Sequence, residues 1–121
     1  MPVADRSPDV WLRWQEHGAP DGAPVLLVMG LGGSSRAWWR LLPHLEPQGR
    51  LIAFDNRGTG ESSRVSGFLS MKDLVADTVA VMDDAGLESA HVIGVSMGGM
   101  IAQNLALDHR DRVRSLCLGC T

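Results

Sequence analysis

Apolar residues fall along this chain in short, nearly unbroken runs set between polar, glycine-rich stretches. Val25-Leu26-Leu27-Val28-Met29 is one such run, Leu51-Ile52-Ala53-Phe54 a second, the segment from Ala90 to Val95 a third, and Val113 to Cys120 a fourth. Runs without polar alternation predict strands buried on both faces. Val10 to Gln15 alternates more loosely and predicts an entry strand, followed by a turn across Gly18-Ala19-Pro20-Asp21-Gly22-Ala23-Pro24. Between the strands the period changes. Met71, Leu74, Val75, Thr78, Met82 and Ala85 recur at helical spacing. Ser70-Met71-Lys72-Asp73 has the form of a capping box, and Gly86 supplies the stop. Arg36 to His44 predicts a helix ending near Pro47, and Met97 to Asp108 another. Strands alternating with helices predict an α/β fold: a mostly parallel sheet with helices on both faces, in a single domain over residues 1–121.

In such sheets ligands bind at the carboxyl ends of the strands. Three small-residue loops fall there: residues 30–35, residues 55–63, and the turn at Gly94-Val95-Ser96-Met97-Gly98. The last is a serine between glycines at a strand-to-helix junction, the G-x-S-x-G elbow. A turn this sharp forces Ser96 into an unfavourable backbone conformation and lifts its hydroxyl clear of the sheet as a nucleophile. Acyl transfer also needs donors for the oxygen that becomes an anion. The backbone N–H groups of Met97, after the serine, and Leu31, in the Gly30-Leu31-Gly32-Gly33 loop, are the candidates. Gly30, Gly32 and Trp38 are the expected pocket residues.

The same loop nearly matches a dinucleotide fingerprint, with Asp55 placed to meet a ribose. Ser35, however, stands where the third glycine or alanine belongs, and that reading leaves the Ser96 elbow unexplained. In Asp55-Asn56-Arg57-Gly58-Thr59-Gly60-Glu61-Ser62, the aspartate is expected to bond backbone N–H groups and the arginine to bond carbonyls. A serine nucleophile needs a base within about 3 Å. His91 begins the strand that leads to Ser96, ~16 Å away. His109 lies at the far end of the next helix, ~20 Å away. His44 ends a helix whose start faces the pocket, so it too points away, and His17 adjoins the turn before the first buried strand. None of the four is placed to serve Ser96.

Composition narrows the partners. The net charge of −3 argues against nucleic acid. Met1-Pro2-Val3-Ala4-Asp5-Arg6 carries no apolar leader, and no apolar run is long enough to cross a bilayer, so a cytoplasmic location is expected. Cys117 and Cys120 have C-x-x-C spacing. Residues three apart in a strand point to opposite faces, so two buried strand thiols that cannot meet are expected, with no metal site and no cofactor.

Three motifs in order, Met29-Gly30-Leu31-Gly32-Gly33, Asp55 to Ser62, and Gly94-Val95-Ser96-Met97-Gly98-Gly99, carry a resemblance to the N-terminal half of α/β-hydrolase fold proteins over nearly the whole chain. The family usually has a histidine where this chain has Met29. Serine at 96 separates the chain from haloalkane dehalogenases, which use aspartate. The resemblance implies Ser96 as nucleophile, with the N–H groups of Leu31 and Met97 as oxyanion donors. It also implies an acid and a histidine in segments beyond Thr121, so an incomplete fold, inactive by itself, is expected. The expected activity is hydrolysis of small carboxylic esters, thioesters or lactones by acyl-enzyme chemistry. The alternatives are a non-catalytic small-molecule binding module or an inactive remnant, and more distantly a dinucleotide-binding domain. An uncovered last strand would invite self-association.

Overall fold

The apolar runs align as one six-stranded sheet. The computed structural model describes residues 2–121; Met1, the first residue of the segment read above for a leader, lies outside them. The strands are β1 (Val3–Ser7), β2 (Val10–Gly18), β3 (Ala23–Val28), β4 (Gly49–Phe54), β5 (Ala90–Val95) and β6 (Val113–Gly119). Their spatial order is β1-β2-β4-β3-β5-β6. The central pairs are parallel, with Leu26 opposite Ile52 on one side and Val92 on the other. β6 runs parallel to β5, while β1 and β2 are antiparallel additions at the far edge.

The two faces of the sheet are covered by different elements. Leu26, Val28, Ile52, Phe54 and Val92 face helices α2 (Met71–Asp84) and α3 (Met97–Asp108), meeting Val75, Val81, Met82, Ile101 and Leu105. The alternate residues Leu27 and Ala53 turn to the other face, against Trp38, Leu41, Leu42 and Leu45. Strand alternation thus splits one apolar run between two cores, which is why the central positions of these strands are apolar and the polar Arg50 and His91 fall near their starts. Each fully buried leucine contributes roughly 1.5–3 kcal/mol.

The caps follow the sequence at α2. Ser70 Oγ accepts the Asp73 N–H at 3.2 Å, and Asp73 Oδ2 accepts the Ser70 N–H at 3.0 Å. The Ser70 N–H first, and then the Ser70 hydroxyl, which donates to Asp73 Oδ2 at 3.0 Å, hold the Asp73 carboxyl below the usual carboxylate range. The predicted helix from Arg36 to His44 does not form as one piece. Ser35–Arg40 is a 3₁₀ turn, in which the Ser34 side chain accepts the Arg36 N–H, and α1 is the single turn Leu42–Leu45. Pro43 explains the break. It lacks an N–H to continue the ladder and suits the first turn of a new helix.

Two further differences concern the edges. β1 was not expected; its sequence, Val-Ala-Asp-Arg-Ser, is mostly polar, and only Ala4 is deeply buried, opposite Leu12. Cys117 and Cys120 are exposed rather than buried, and both are free thiols. β6 pairs on one side only, and its residues are exposed from Arg114 to Leu118. Cys120 lies past the strand with φ 55°. Among the described residues, no helix is long and apolar enough to cross a membrane.

Candidate active site

Ser96 joins β5 to α3 with φ 55° and ψ −122°. A non-glycine residue held there stores roughly 1–3 kcal/mol of strain. The surroundings hold it in place. Its N–H donates to the Gly119 carbonyl at 2.8 Å, and its own carbonyl accepts the Gly99 N–H at 2.9 Å. The flanking glycines are required by space. A Cβ at Gly98 would collide with the Val28 carbonyl, and one at Gly94 would come within 2.8 Å of the Gly99 Cα. Serine at the head of a helix ordinarily caps it. Ser96 makes no such side-chain bond and is exposed, so its hydroxyl is left for other partners.

The loop after β3 lies against this corner. A Cβ at Gly30 would sit 3.1 Å from Ser96 Cβ and 3.6 Å from Ser96 Oγ. The Gly33 N–H donates to the Gly30 carbonyl at 3.3 Å, closing a tight turn that Gly32 completes with φ 73°. Leu31 stands at its tip, 84% exposed. Met97 begins α3, where the first N–H groups of a helix lack intrahelical acceptors. The structure therefore sets Gly30 beside Ser96, with Met97 following the serine at the head of α3 and Leu31 and Gly32 following Gly30 in its turn. It does not bring Trp38 there as an open wall. Trp38 is 4% exposed and packs with Leu27 and Ala53, while its neighbour Trp39 is 64% exposed and stacks against Arg40.

The loop after β4 braces the site. Asp55 is buried; its Oδ1 accepts the Ser35 N–H at 2.7 Å and its Oδ2 the Glu61 N–H at 3.0 Å. Gly60, at φ 47°, has no room for a Cβ beside this carboxylate. Both Asp55 oxygens are thus committed, and the glycine loop leads into a short 3₁₀ turn rather than a full helix. A dinucleotide site needs a free acid and a helix opening on that loop, so the dinucleotide reading is set aside. Arg57 differs from expectation. It bonds a carboxylate, not carbonyls: its Nε donates to Asp77 Oδ2 at 3.0 Å and its Nη2 to Asp77 Oδ1 at 2.7 Å. That bond raises the Arg57 pKa above its ordinary value, against the opposing effect of burial.

Sequence reasoning missed Asp77 and the use of Asn56. Asp77 is fully buried within the apolar stripe of α2, between Val75 and Thr78. A lone carboxylate on such a stripe was the available signal. A cavity of about 360 Å³ opens beside the loops, lined by Gln15, Ser34, Ser35, Arg36, Asp55, Gly60 and Glu61; Ser96 is not part of its lining. The histidines serve elsewhere. His91 Nδ1 lies 2.7 Å from Ser115 Oγ, and His17 Nε2 lies 3.1 Å from Gln15 Oε1.

A sheet of this order, with a strained serine at the β5–α3 corner, defines an α/β-hydrolase architecture. The family model described as "alpha/beta hydrolase fold" matches residues 23–121, and the chain belongs to that family. It is 40% identical over 118 residues to a protein of Azorhizobium caulinodans named "Putative carbamate hydrolase RutD", covering 98% of this chain and 43% of that protein. A crystal structure of a hydrolase from Pseudomonas aeruginosa PA01 matches at a TM-score of 0.92 and 29% identity, over 97% of this chain and 44% of that one. The enol-lactonase from Burkholderia xenovorans LB400 matches at 0.88 and 26% identity, over 95% and 45% respectively. The chain therefore spans less than half the length of each of these relatives.

Proposed function

We propose that this chain carries the nucleophile and the oxyanion donors of a serine hydrolase acting on small carboxylic esters, thioesters or lactones. The observation that supports it most is Ser96 itself: exposed, strained at φ 55°, uncommitted to capping, and so near Gly30 that a Cβ there would crowd it. Ser96 Oγ attacks the substrate carbonyl. The proton passes to a histidine from outside these 121 residues, because the four histidines present lie elsewhere. The N–H groups of Leu31 and Met97 meet the oxyanion; as it collapses, the C–O or C–S bond breaks and the same histidine returns its proton to the departing alcohol or thiol, or to the ring-opened hydroxyl of a lactone, and water activated by that histidine then hydrolyses the acyl-enzyme. Neither a metal nor a cofactor takes part in this scheme. By itself the chain lacks the base and is inactive. Relatives named as an enol-lactonase and as a "Putative carbamate hydrolase" support a carbonyl substrate.

The test is turnover of p-nitrophenyl acetate by the whole protein carrying this chain. Ser96→Ala is expected to lower kcat by about 10³-fold or more. A binding module would bind such esters without turning them over. Hydrolysis undiminished in Ser96→Ala would remove the proposal.

A further inference from the structure

Two consecutive residues at the end of β4 grip the Gly30 loop at both of its ends. The Asn56 side-chain amide donates to the Met29 carbonyl at 2.8 Å, just before Gly30. The Asp55 carboxylate accepts the Ser35 N–H at 2.7 Å, just after Ser34. Asp55 is 4% exposed and Asn56 2%. Both are themselves braced. Ser62 Oγ donates to the Asp55 carbonyl at 2.6 Å, and Thr59 Oγ1 donates to the Asn56 carbonyl at 2.7 Å.

Between the two anchors, the Gly33 N–H donates to the Gly30 carbonyl. A planar trans peptide points its N–H opposite to its C=O. That bond therefore turns the Leu31 N–H out of the turn. Gly30, in the same peptide unit, lies where a Cβ would come within 3.1 Å of Ser96 Cβ. Among the described residues the buried Asn56 Oδ1 has no hydrogen-bond partner. An apolar side chain of equal size would avoid that desolvation cost, so what the amide supplies here is its bond to Met29.

We infer that Asn56 and Asp55 are positioning residues that aim the Leu31 N–H at the oxyanion formed over Ser96. The inference rests on the serine-hydrolase reading of Ser96. Neither residue touches the reacting atoms; both act through the loop from Met29 to Ser35. A misaimed donor loses strength in the transition state while ground-state binding is untouched, so the effect falls on kcat rather than KM.

The experiment compares Asn56→Leu, Asn56→Asp and Ser96→Ala in the whole protein carrying this chain. It measures kcat and KM for p-nitrophenyl acetate, the inhibition constant of phenylboronic acid, and the melting temperature. Deleting a donor outright costs about 10²–10³ in kcat. A donor that is loosened but present is expected to cost about tenfold, with a matching loss of phenylboronic acid affinity and KM within about twofold. Asn56→Leu removes one unpaired oxygen but leaves the Met29 carbonyl without its donor, so the melting temperature is read beside kcat to separate stability from aim. Asn56→Asp keeps the shape without the donor and carries the test if the leucine variant does not fold. Unchanged kcat and boronate affinity in the folded Asn56 variants, with Ser96→Ala inactive, would overturn the clamp alone. So would a kcat loss that disappears on cooling to where the variants are fully folded. Turnover surviving in Ser96→Ala would instead remove the serine reading and the clamp with it.

Discussion

Asp77 is the buried charge on which the loop after β4 depends, and its removal has a calculable cost. Arg57 meets it with two bonds, at 3.0 and 2.7 Å, and Arg6 Nε adds a third at 3.0 Å. The Asp77 side chain is 0% exposed and that of Arg57 10%. Asp77→Asn keeps the shape but removes the charge and turns one acceptor into a donor facing Arg57. Breaking a buried pair by removing one partner costs about 3–5 kcal/mol. The Arg6 side chain, 32% exposed, is screened by water and adds less than about 1 kcal/mol. A loss of about 3 kcal/mol is therefore expected for Asp77→Asn. Arg57→Met should cost a similar amount. Asp77→Leu with Arg57→Met removes both charges together and should cost at least about 2 kcal/mol less than the sum of the two single changes. Urea unfolding followed by the fluorescence of the four tryptophans gives the cycle. An Asp77→Asn midpoint within about 0.5 kcal/mol of the parent, or a strictly additive double variant, would refute the reasoning.

Other expectations follow from the same structure. The Asp73 carboxyl is depressed on folding, so its stabilisation is present above the ordinary carboxylate pKa of about 3.9 and is lost as pH falls through the lower folded value. Asp73→Asn should flatten the acid limb of a stability–pH curve, and an unchanged limb would contradict this. Gly98→Ala drives a Cβ into the Val28 carbonyl and should destabilise by about 2 kcal/mol or more, read by thermal melting. β6 leaves Leu116 and Leu118 at 39% and 41% exposure on an edge strand, so Leu116→Lys should reduce any self-association seen by sedimentation; unchanged association would place that contact elsewhere.

The parts of this fold that were readable in the sequence are those where local chemistry and tertiary position agree. β5 and α3 fall within the expected limits, because an apolar run ends at a glycine-flanked serine and a helical stretch begins at once. The α2 cap was legible for the same reason: both halves of the box lie within four residues. The first helix was misread because Pro43 sits inside an otherwise helical pattern, and its restart is decided by packing against Leu27 and Ala53. Adjacent tryptophans gave no hint which would be buried; the 3₁₀ turn points Trp38 inward and Trp39 outward. Arg57 was seen as a loop-holding residue, but its partner is 20 positions away on α2, beyond the reach of any local pattern. The strand pattern predicts buried thiols because both faces and both edges of such strands are usually covered, whereas among the described residues β6 pairs with β5 alone.

The most direct measurement is the site of phosphonylation in the whole protein carrying this chain. After reaction with a fluorophosphonate, peptide mass spectrometry is expected to find the adduct on Ser96, and Ser96→Ala should remain unmodified. An adduct on another residue, or equal labelling of Ser96→Ala, would contradict the assignment of this serine as the nucleophile.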